Sequence, residues 1–225
     1  MIDNTISLSH VLNNKTPLYG GASDIKIKKK SSIKSGDTAN SLSLNFPNHT
    51  GTHIDVPYHF FNDGKKLTDY NNPSQWIFSH PICIDVPSQD GYLVSFQDVK
   101  GKIKKESDLL MIRTGYEKFR NKKKYWMKNP GLSSNLAEGL RKNYPNIRAI
   151  GVDLISITSF IHREEGRKAH REFLGSHYTN SSPIILIEDM ALNNYNDGID
   201  KVFIVPLFIS DADGAPCTAF GLKDQ

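Results

Sequence analysis

Polar and apolar residues alternate in two early segments of the chain, residues 25–28 and 41–46. A period of two residues is typical of a β-strand with one solvated face. Short apolar runs, which predict buried strands, follow at residues 82–86, 109–112, 149–152, 184–187 and 202–205.

Two segments between these strands have helical spacing. In residues 132–143, Leu136 and Leu140 share one helix face, and Ser133 or Ser134 can cap the first turn. Residues 163–174 predict a second helix, although Gly166 lowers its helix propensity. Strands with a few helices between them predict an α/β fold, with a mixed β-sheet flanked by helices in one domain of residues 1–225.

Composition narrows the class of protein. The chain has 225 residues, of which 38% are hydrophobic and 23% charged, as in a folded water-soluble protein. It has no apolar run of membrane-spanning length and no basic-then-apolar N-terminal segment, so we expect no membrane partner and no secretory signal. Cys83 and Cys217 form no CxxC pair. Two cysteines are too few for a disulfide framework, and we expect a cytoplasmic protein.

The net charge of +4 is unevenly distributed. Lysines cluster in residues 26–34, 100–105 and 118–124. Such runs can bind nucleic acid, and that hypothesis predicts an affinity that falls steeply with salt. The runs lack the interleaved aromatic residues of single-strand binders. We therefore favour a solvated surface and expect no nucleic-acid partner.

The most informative segment is the run of residues 49–59, HTGTHIDVPYH, with four potential ligands or proton-transfer groups at His49, His53, Asp55 and His59. All four positions are odd, and in an extended backbone side chains two residues apart point to the same side. Glycine and proline within the run argue against a helix. The spacing therefore predicts a stretched backbone that aims four groups into one space.

Imidazole nitrogen together with carboxylate oxygen suits zinc, manganese or iron(II). The same site needs groups from elsewhere in the fold. Glu188 follows an apolar run, at a strand end where side chains enter a cleft, whereas Asp189 points to the opposite side of an extended chain. A further histidine can come from His162, His170 or His177, which precede Glu188.

The 49–59 run resembles the HxGTHxDxPxH pattern of the cyclase family of metal-dependent hydrolases, which includes bacterial kynurenine formamidase and isatin hydrolase. Further segments resemble the family in the same order, so that the resemblance covers most of the chain: residues 16–19, 112–116, 151–153, 188–190 and 213–216. The resemblance implies a barrel-like β core of the swivelling β/β/α type. It also implies a homodimer or homotetramer.

The resemblance implies a role for each matching residue. His49, His53 and Asp55 match metal ligands, and Glu188 matches a second carboxylate that bridges two metals together with Asp55. His59 matches the catalytic histidine that transfers protons.

The remaining positions are less closely matched. Tyr19 lies where relatives carry an aromatic residue, often tryptophan, that packs on the substrate. Phe60 is a second candidate for an aromatic pocket, with core packing as its alternative. Relatives have a metal-binding histidine closer to Glu188 than is found here. We prefer His170, with an insertion between residues 175 and 183, over His177; if neither binds, the site holds one metal.

These residues predict a hydrolase in which metal-activated water attacks a carbonyl and His59 moves the proton. The expected cofactor is Zn²⁺, with Mn²⁺ as the alternative, at one or two ions per chain. The expected substrate is a small amide, an N-formyl aromatic amine. The alternatives are ring opening of a cyclic amide or lactone, and a metal-dependent binding module without catalysis. Neither cysteine has a local histidine partner, which disfavours covalent catalysis.

Overall fold

A computed structural model describes residues 4–175, 182–196 and 198–223 of the chain. The early and central strands are β1 Thr5–Ser7, β2 Lys26–Ser31, β3 Ser41–Asn45, β4 His53–Asp55, β5 Ile77–Phe78, β6 Pro81–Asp85 and β7 Leu93–Val94. The later strands are β8 Leu109–Arg113, β9 Gly131–Leu132, β10 Ala149–Val152, β11 Ile185–Glu188, β12 Lys201–Pro206 and β13 Gly214–Leu222. The α-helices are α1 Phe96–Val99, α2 Lys124–Met127, α3 Ser134–Asn143 and α4 Arg163–Leu174.

The main sheet is mixed, and its strand order is β5-β12-β13-β4-β11-β10-β8-β6, with β1 added alongside β13. Strands β6, β8, β10 and β11 run parallel to one another. Strand β4 lies antiparallel between β11 and β13, so it joins the parallel half of the sheet to an antiparallel half. The predicted α/β class, a mixed sheet with few flanking helices, is confirmed.

Alternation along the central strands builds one core on each face of the sheet. In β8, Leu110 and Ile112 belong to the core under α3 and α4, whereas Leu109 and Met111 belong to the core on the other face. All four side chains are fully buried. Burial on both faces explains why these strands appear in the sequence as continuous apolar runs.

The two longer helices cover one face with amphipathic stripes. Helix α4 begins and ends as predicted, and its buried side includes His170 and Phe173. A Cβ at Gly166 would lie 2.4 Å from side-chain atoms of Thr158, so the glycine allows close packing in mid-helix. The predicted start of the other helix is wrong: α3 begins at Ser134, because Leu132 is in β9 and pairs with β7.

The remaining strands lie outside the main sheet. β2 and β3 form an antiparallel hairpin, and β7 pairs with β9. Among the residues described, no helix combines the length and the apolar character needed to cross a membrane.

Candidate metal centre

Strand β4 carries two of the predicted ligands, His53 and Asp55, at the middle of the main sheet. His53 pairs with Glu188 of β11, and Asp55 pairs with Leu186. Leu186 packs in the core under the helices, whereas Ile54 packs in the core on the other face. Because side chains alternate across a strand, His53, Asp55 and Glu188 all face the side that α4 covers.

Two buried histidines lie next to different oxygens of the two carboxylates. His53 Nε2 lies 3.5 Å from Asp55 Oδ1 and 3.4 Å from Glu188 Oε2. His170 lies on α4, and its Nε2 is 3.7 Å from Asp55 Oδ2 and 3.6 Å from Glu188 Oε1. His49 Nδ1 lies 2.8 Å from Asp55 Oδ1. The structure thus brings together all five residues predicted as ligands, while His177 lies outside the described residues.

The predicted reason for this convergence is wrong. Only residues 53–55 of the 49–59 run form a strand. The chain turns at Gly51, whose φ is +64°, and again in the 3₁₀ turn Pro57–His59. A Cβ at Gly51 would lie 2.3 Å from Leu12 Cδ2. The two turns fold His49 and His59 back over β4, with their ring centroids 4.3 Å apart.

Hydrogen bonds fix the orientation of the two buried imidazoles. His53 Nδ1 lies 2.7 Å from the carbonyl oxygen of Gly51, and His170 Nδ1 lies 2.8 Å from that of Gly166. A carbonyl only accepts, so each Nδ1 carries the proton and donates it. In the neutral tautomer, the lone pair of each Nε2 then points to the carboxylates. This is the arrangement in which histidine ligates a metal.

The charges of the centre also fit a divalent cation. Asp55 and Glu188 are 1% and 3% exposed and lie next to each other. Burial opposes ionisation of Asp55, but the nearby His49 and His170 hold its pKa well below the usual value. Burial lowers the pKa of His49 and His170, but the carboxylates around them prevail and raise it to about 10 and about 9. Without a metal, imidazolium groups therefore supply the positive charge that a divalent ion would bring.

Glu188 and its neighbour Asp189 have separate hydrogen-bond partners, and Asp189 lies beyond the end of β11, so the extended chain assumed for this pair does not continue through it. Glu188 Oε1 accepts hydrogen bonds from the backbone nitrogen of Ile157 at 2.7 Å and from Ser156 Oγ at 3.1 Å. Asp189 has a φ of +51° and accepts hydrogen bonds from Arg120 and Tyr125, each at 2.6 Å. This buried anchor fixes the backbone next to the ligand.

Sequence reasoning missed Asp213 as a residue of the site. Its Oδ2 lies 2.6 Å from His59 Nδ1 and 3.0 Å from His49 Nε2, and its Oδ1 accepts a hydrogen bond from Asn48 at 2.6 Å. Its backbone oxygen accepts a hydrogen bond from the nitrogen of Val56 beside β4. Asp213 therefore holds the ring of His59 in place. The only signal in the sequence was that residues 213–216 resemble a family segment.

A cavity of about 460 Å³ opens above these residues. Tyr19 and Phe60 both line it, as predicted. Phe60 stacks almost parallel on His170, with centroids 4.6 Å apart, and also packs against the core. Tyr19 lies 5.6 Å from Phe160 across the outer part of the cavity. The cavity thus has polar groups at its base and aromatic rings on its walls, as ligand sites often do.

The family model named Cyclase matches residues 6–159. The chain belongs to the cyclase family. A kynurenine formamidase of Bacillus cytotoxicus is 27% identical over 219 residues, which cover 95% of each chain. An isatin hydrolase solved with the product analogue thioisatinate has a TM-score of 0.79 at 19% identity, covering 98% of this chain and 92% of that one. A potential metal-dependent hydrolase with cyclase activity has a TM-score of 0.75 at 17% identity, covering 98% of both chains.

The family assignment confirms the resemblance seen in the 49–59 run. The solved structures share the fold, and the curated relative matches across nearly the whole chain. The roles of His49, His53, Asp55, His170 and Glu188 as ligands, and of His59 in proton transfer, stay predictions that the geometry favours.

Proposed function

We propose that this cyclase-family protein, a metal-dependent hydrolase, removes the formyl group from a small N-formyl aromatic amine. The main support for the proposal is that the candidate metal ligands and the candidate proton-transfer histidine line the same cavity. Two buried carboxylates with three histidines lie at its base, and a histidine with its own carboxylate partner, His59 with Asp213, lies beside them. The kynurenine formamidase relative supports the acyl group and the C–N bond that we assign.

The donor set would hold one or two ions. The ligand atoms of His49, His53 and Asp55 lie within 4.8 Å of one another, and so do those of Asp55, His59 and His170. We assign His59 to proton transfer, so a second ion would depend on His170 with Asp55 and Glu188. When bound, a divalent metal polarises a carbonyl oxygen and lowers the pKa of water. We propose zinc, with manganese as the alternative, because imidazole and carboxylate ligands suit both metals.

His59 is placed to move the proton. Asp213 Oδ2, 2.6 Å away, fixes the proton on His59 Nδ1. Nε2 is therefore the nitrogen that takes a proton from the attacking water and returns it to the leaving amine nitrogen. The C–O bond forms, the C–N bond breaks, and formate leaves with the free amine. Asp213 orients the imidazole of His59, as a carboxylate does for the base in other nucleophile–base pairs.

The experiment uses the purified protein supplied with Zn²⁺ or Mn²⁺ and measures formate released from N-formyl anilines. Isatin and simple lactones complete the panel. We expect formate release that a chelator abolishes. His59→Ala should lose turnover and keep the metal, while His80→Ala, a change to an exposed histidine outside the centre, should leave both unchanged.

Other results would replace the proposal with its alternatives. Ring opening of isatin or a lactone without formate release would assign a cyclic substrate. Tight metal-dependent binding of the panel without turnover would assign a binding module. Full activity of His59→Ala would remove the proton-transfer role.

We also propose that the protein forms a homodimer or homotetramer. The β2–β3 hairpin exposes Leu42 and Leu44, whose exposed fractions are 62% and 58%, and side chains of this kind are often covered by a second subunit. Light scattering coupled to gel filtration measures the mass directly. A mass of one chain at micromolar concentration would contradict the assembly.

A further inference from the structure

The four oxygens of the two buried carboxylates are not equivalent. Glu188 Oε1 accepts hydrogen bonds from the backbone nitrogen of Ile157 at 2.7 Å and from Ser156 Oγ at 3.1 Å. Within the described part of the chain, Glu188 Oε2 and both oxygens of Asp55 have only imidazole nitrogens as hydrogen-bond or ion-pair partners. An ionised carboxylate offers about four lone-pair sites, two on each oxygen. The two donors therefore use both sites of Oε1 and leave the other three oxygens open to a metal.

The loop that supplies the two donors, residues 156–158, is held in place by hydrogen bonds. The amide of Asn129, a fully buried residue, donates to the backbone oxygens of Ser156 and Thr158 at 3.3 and 2.8 Å. The backbone oxygen of Ile157 accepts a hydrogen bond from β9. Thr158 N donates to Ser156 Oγ at 3.1 Å, so the proton of this hydroxyl is left for Glu188. The two donors therefore cannot move away from Oε1 without breaking several other hydrogen bonds.

Each open oxygen belongs to one side of the centre. Asp55 Oδ1 and Glu188 Oε2 lie 3.5 and 3.4 Å from His53 Nε2, and His49 Nδ1 lies 2.8 Å from the same Asp55 oxygen. This side, the His53 side, offers two imidazoles and two open oxygens. His170 Nε2 lies 3.7 Å from Asp55 Oδ2 and 3.6 Å from Glu188 Oε1. The His170 side thus offers one imidazole and one open oxygen, because Oε1 already has two donors.

His59 does not make the two sides equal. One of its nitrogens lies within 4.8 Å of the ligand atoms of Asp55 and His170. Its Nδ1, however, is bound to Asp213 Oδ2 at 2.6 Å. Its other nitrogen is assigned to proton transfer, and a nitrogen that holds a metal has no lone pair left for a proton. Zinc in proteins is held by three or four protein ligands, a number that the His53 side reaches and the His170 side does not.

We propose that Ser156, together with the backbone of Ile157, restricts Glu188 to the His53 side, so that the protein binds one divalent ion tightly and a second one much more weakly. Ser156 is thus a positioning residue, which acts on the metal through the carboxylate of Glu188. Glu188 then does not bridge two metals, which is the role that the family resemblance implies for it. The inference rests on the metal centre of the proposed function and is independent of the substrate.

Removing the serine hydroxyl should open the His170 side. In Ser156→Ala, one lone-pair site of Glu188 Oε1 becomes free, and the carboxylate can reach a second ion. We expect the affinity for that ion to rise about 10- to 100-fold, the range of one hydrogen bond to a charged group. The affinity for the first ion should change by less than about threefold.

The direction of the change separates this effect from damage to the loop. Ser156→Ala also removes the acceptor of Thr158 N, and Thr158 Oγ1 lies 3.1 Å from His170 Nδ1. A loosened loop would therefore lower the affinity for the second ion, not raise it. Ser156→Thr keeps the hydroxyl and should bind metal as the wild type does. Thr158→Val removes a hydroxyl of the same loop that contacts His170 and not Glu188, so it should not raise the second affinity.

The measurement is metal binding by the purified full chain, freed of metal with a chelator and without substrate. Calorimetric titration with Zn²⁺ gives the number of ions and their affinities. Electron paramagnetic resonance of the Mn²⁺-loaded protein shows whether two ions are close, because two Mn²⁺ ions that share a carboxylate are magnetically coupled. We expect the wild type to show one isolated Mn²⁺ per chain. Ser156→Ala should take up a second, coupled ion at the same free Mn²⁺ concentration.

Two ions bound to the wild type with affinities within about threefold of each other would overturn the inference. An unchanged or lower affinity for the second ion in Ser156→Ala would also overturn it. If Ser156→Ala does not fold, the wild-type titration decides, since one tight ion supports the inference and two equal ions refute it. Binding of neither metal would overturn the metal centre as well. A failure to release formate, by contrast, would count against the proposed substrate alone and leave this inference standing.

Discussion

Replacing Asp213 with asparagine tests how the centre orients its proton-transfer group. The change keeps the size of the side chain and removes its charge. Asp213 Oδ2 accepts from both His59 and His49, while Oδ1 accepts from Asn48. An asparagine has one acceptor oxygen. Either its NH₂ group faces the two imidazoles, or it faces the NH₂ group of Asn48, so that at least one interaction is lost.

The size of the effect follows from those contacts. A hydrogen bond to a charged group contributes about 1.5–3 kcal/mol. If the bond to His59 holds the ring as the reaction requires, its loss raises the barrier by about that amount. Each 1.36 kcal/mol is a factor of ten in rate, so we expect kcat to fall about 10- to 150-fold. The loss should fall on kcat more than on KM, because Asp213 does not line the cavity.

The assay is formate release under saturating substrate, with the metal content of each preparation measured by mass spectrometry. Asp211→Asn is the control: it makes the same chemical change at a side chain that is 77% exposed and pairs with Lys66 on the surface. Asp211→Asn should retain wild-type kcat. If Asp213→Asn keeps kcat within about threefold while holding its metal, the carboxylate does not position His59.

Three further results are expected. His59→Ala should lower kcat by about 10²- to 10⁴-fold with its metal retained, as measured by formate release and metal analysis. In the metal-free protein the pKa of His49 and His170 is raised to about 10 and about 9, so both are cationic at pH 7. The pKa of His53 is also raised. Metal binding at pH 7 should then release at least two protons, and affinity should rise toward pH 9, as measured by calorimetry in buffers of different ionisation enthalpy. Gly214→Ala should destabilise the fold by about 1–3 kcal/mol in urea titrations, since the new Cβ would lie 2.2 Å from Ile54 O and 2.8 Å from His49 Cε1.

The sequence predicted the members of the centre better than the path of the chain. Residue types and spacing were sufficient to select His49, His53, Asp55 and His59, because few proteins place so many ligands within eleven residues by chance. The two-residue period applied only to 53 and 55, which lie in β4. Gly51 and Pro57 were read as features of an extended segment, but they mark the turns at its two ends.

Site residues distant in sequence from the 49–59 run were predictable only where a local sequence pattern or segment pointed to them. Glu188 was found because it ends an apolar strand, and His170 was preferred because its segment resembles the family's histidine-bearing helix. Asp213 is 164 residues from His49. It reaches the centre because β13 pairs with β4. The local periodicity of a sequence does not predict the order of strands in a sheet.

The candidate metal ligands and the residues at the entrance of the cavity lie on different parts of the fold. Asp55 and Glu188 are on neighbouring central strands, buried on both sides, and Asp213 is fixed by the adjacent strand. A change in any of them alters a packed sheet. The mouth, by contrast, consists of exposed side chains on one helix and a 3₁₀ turn, with Arg163 on the first and Tyr19 on the second. Substitutions there cost little stability, so the cavity entrance can change while the metal centre stays intact, and we expect substrate preference to vary there first.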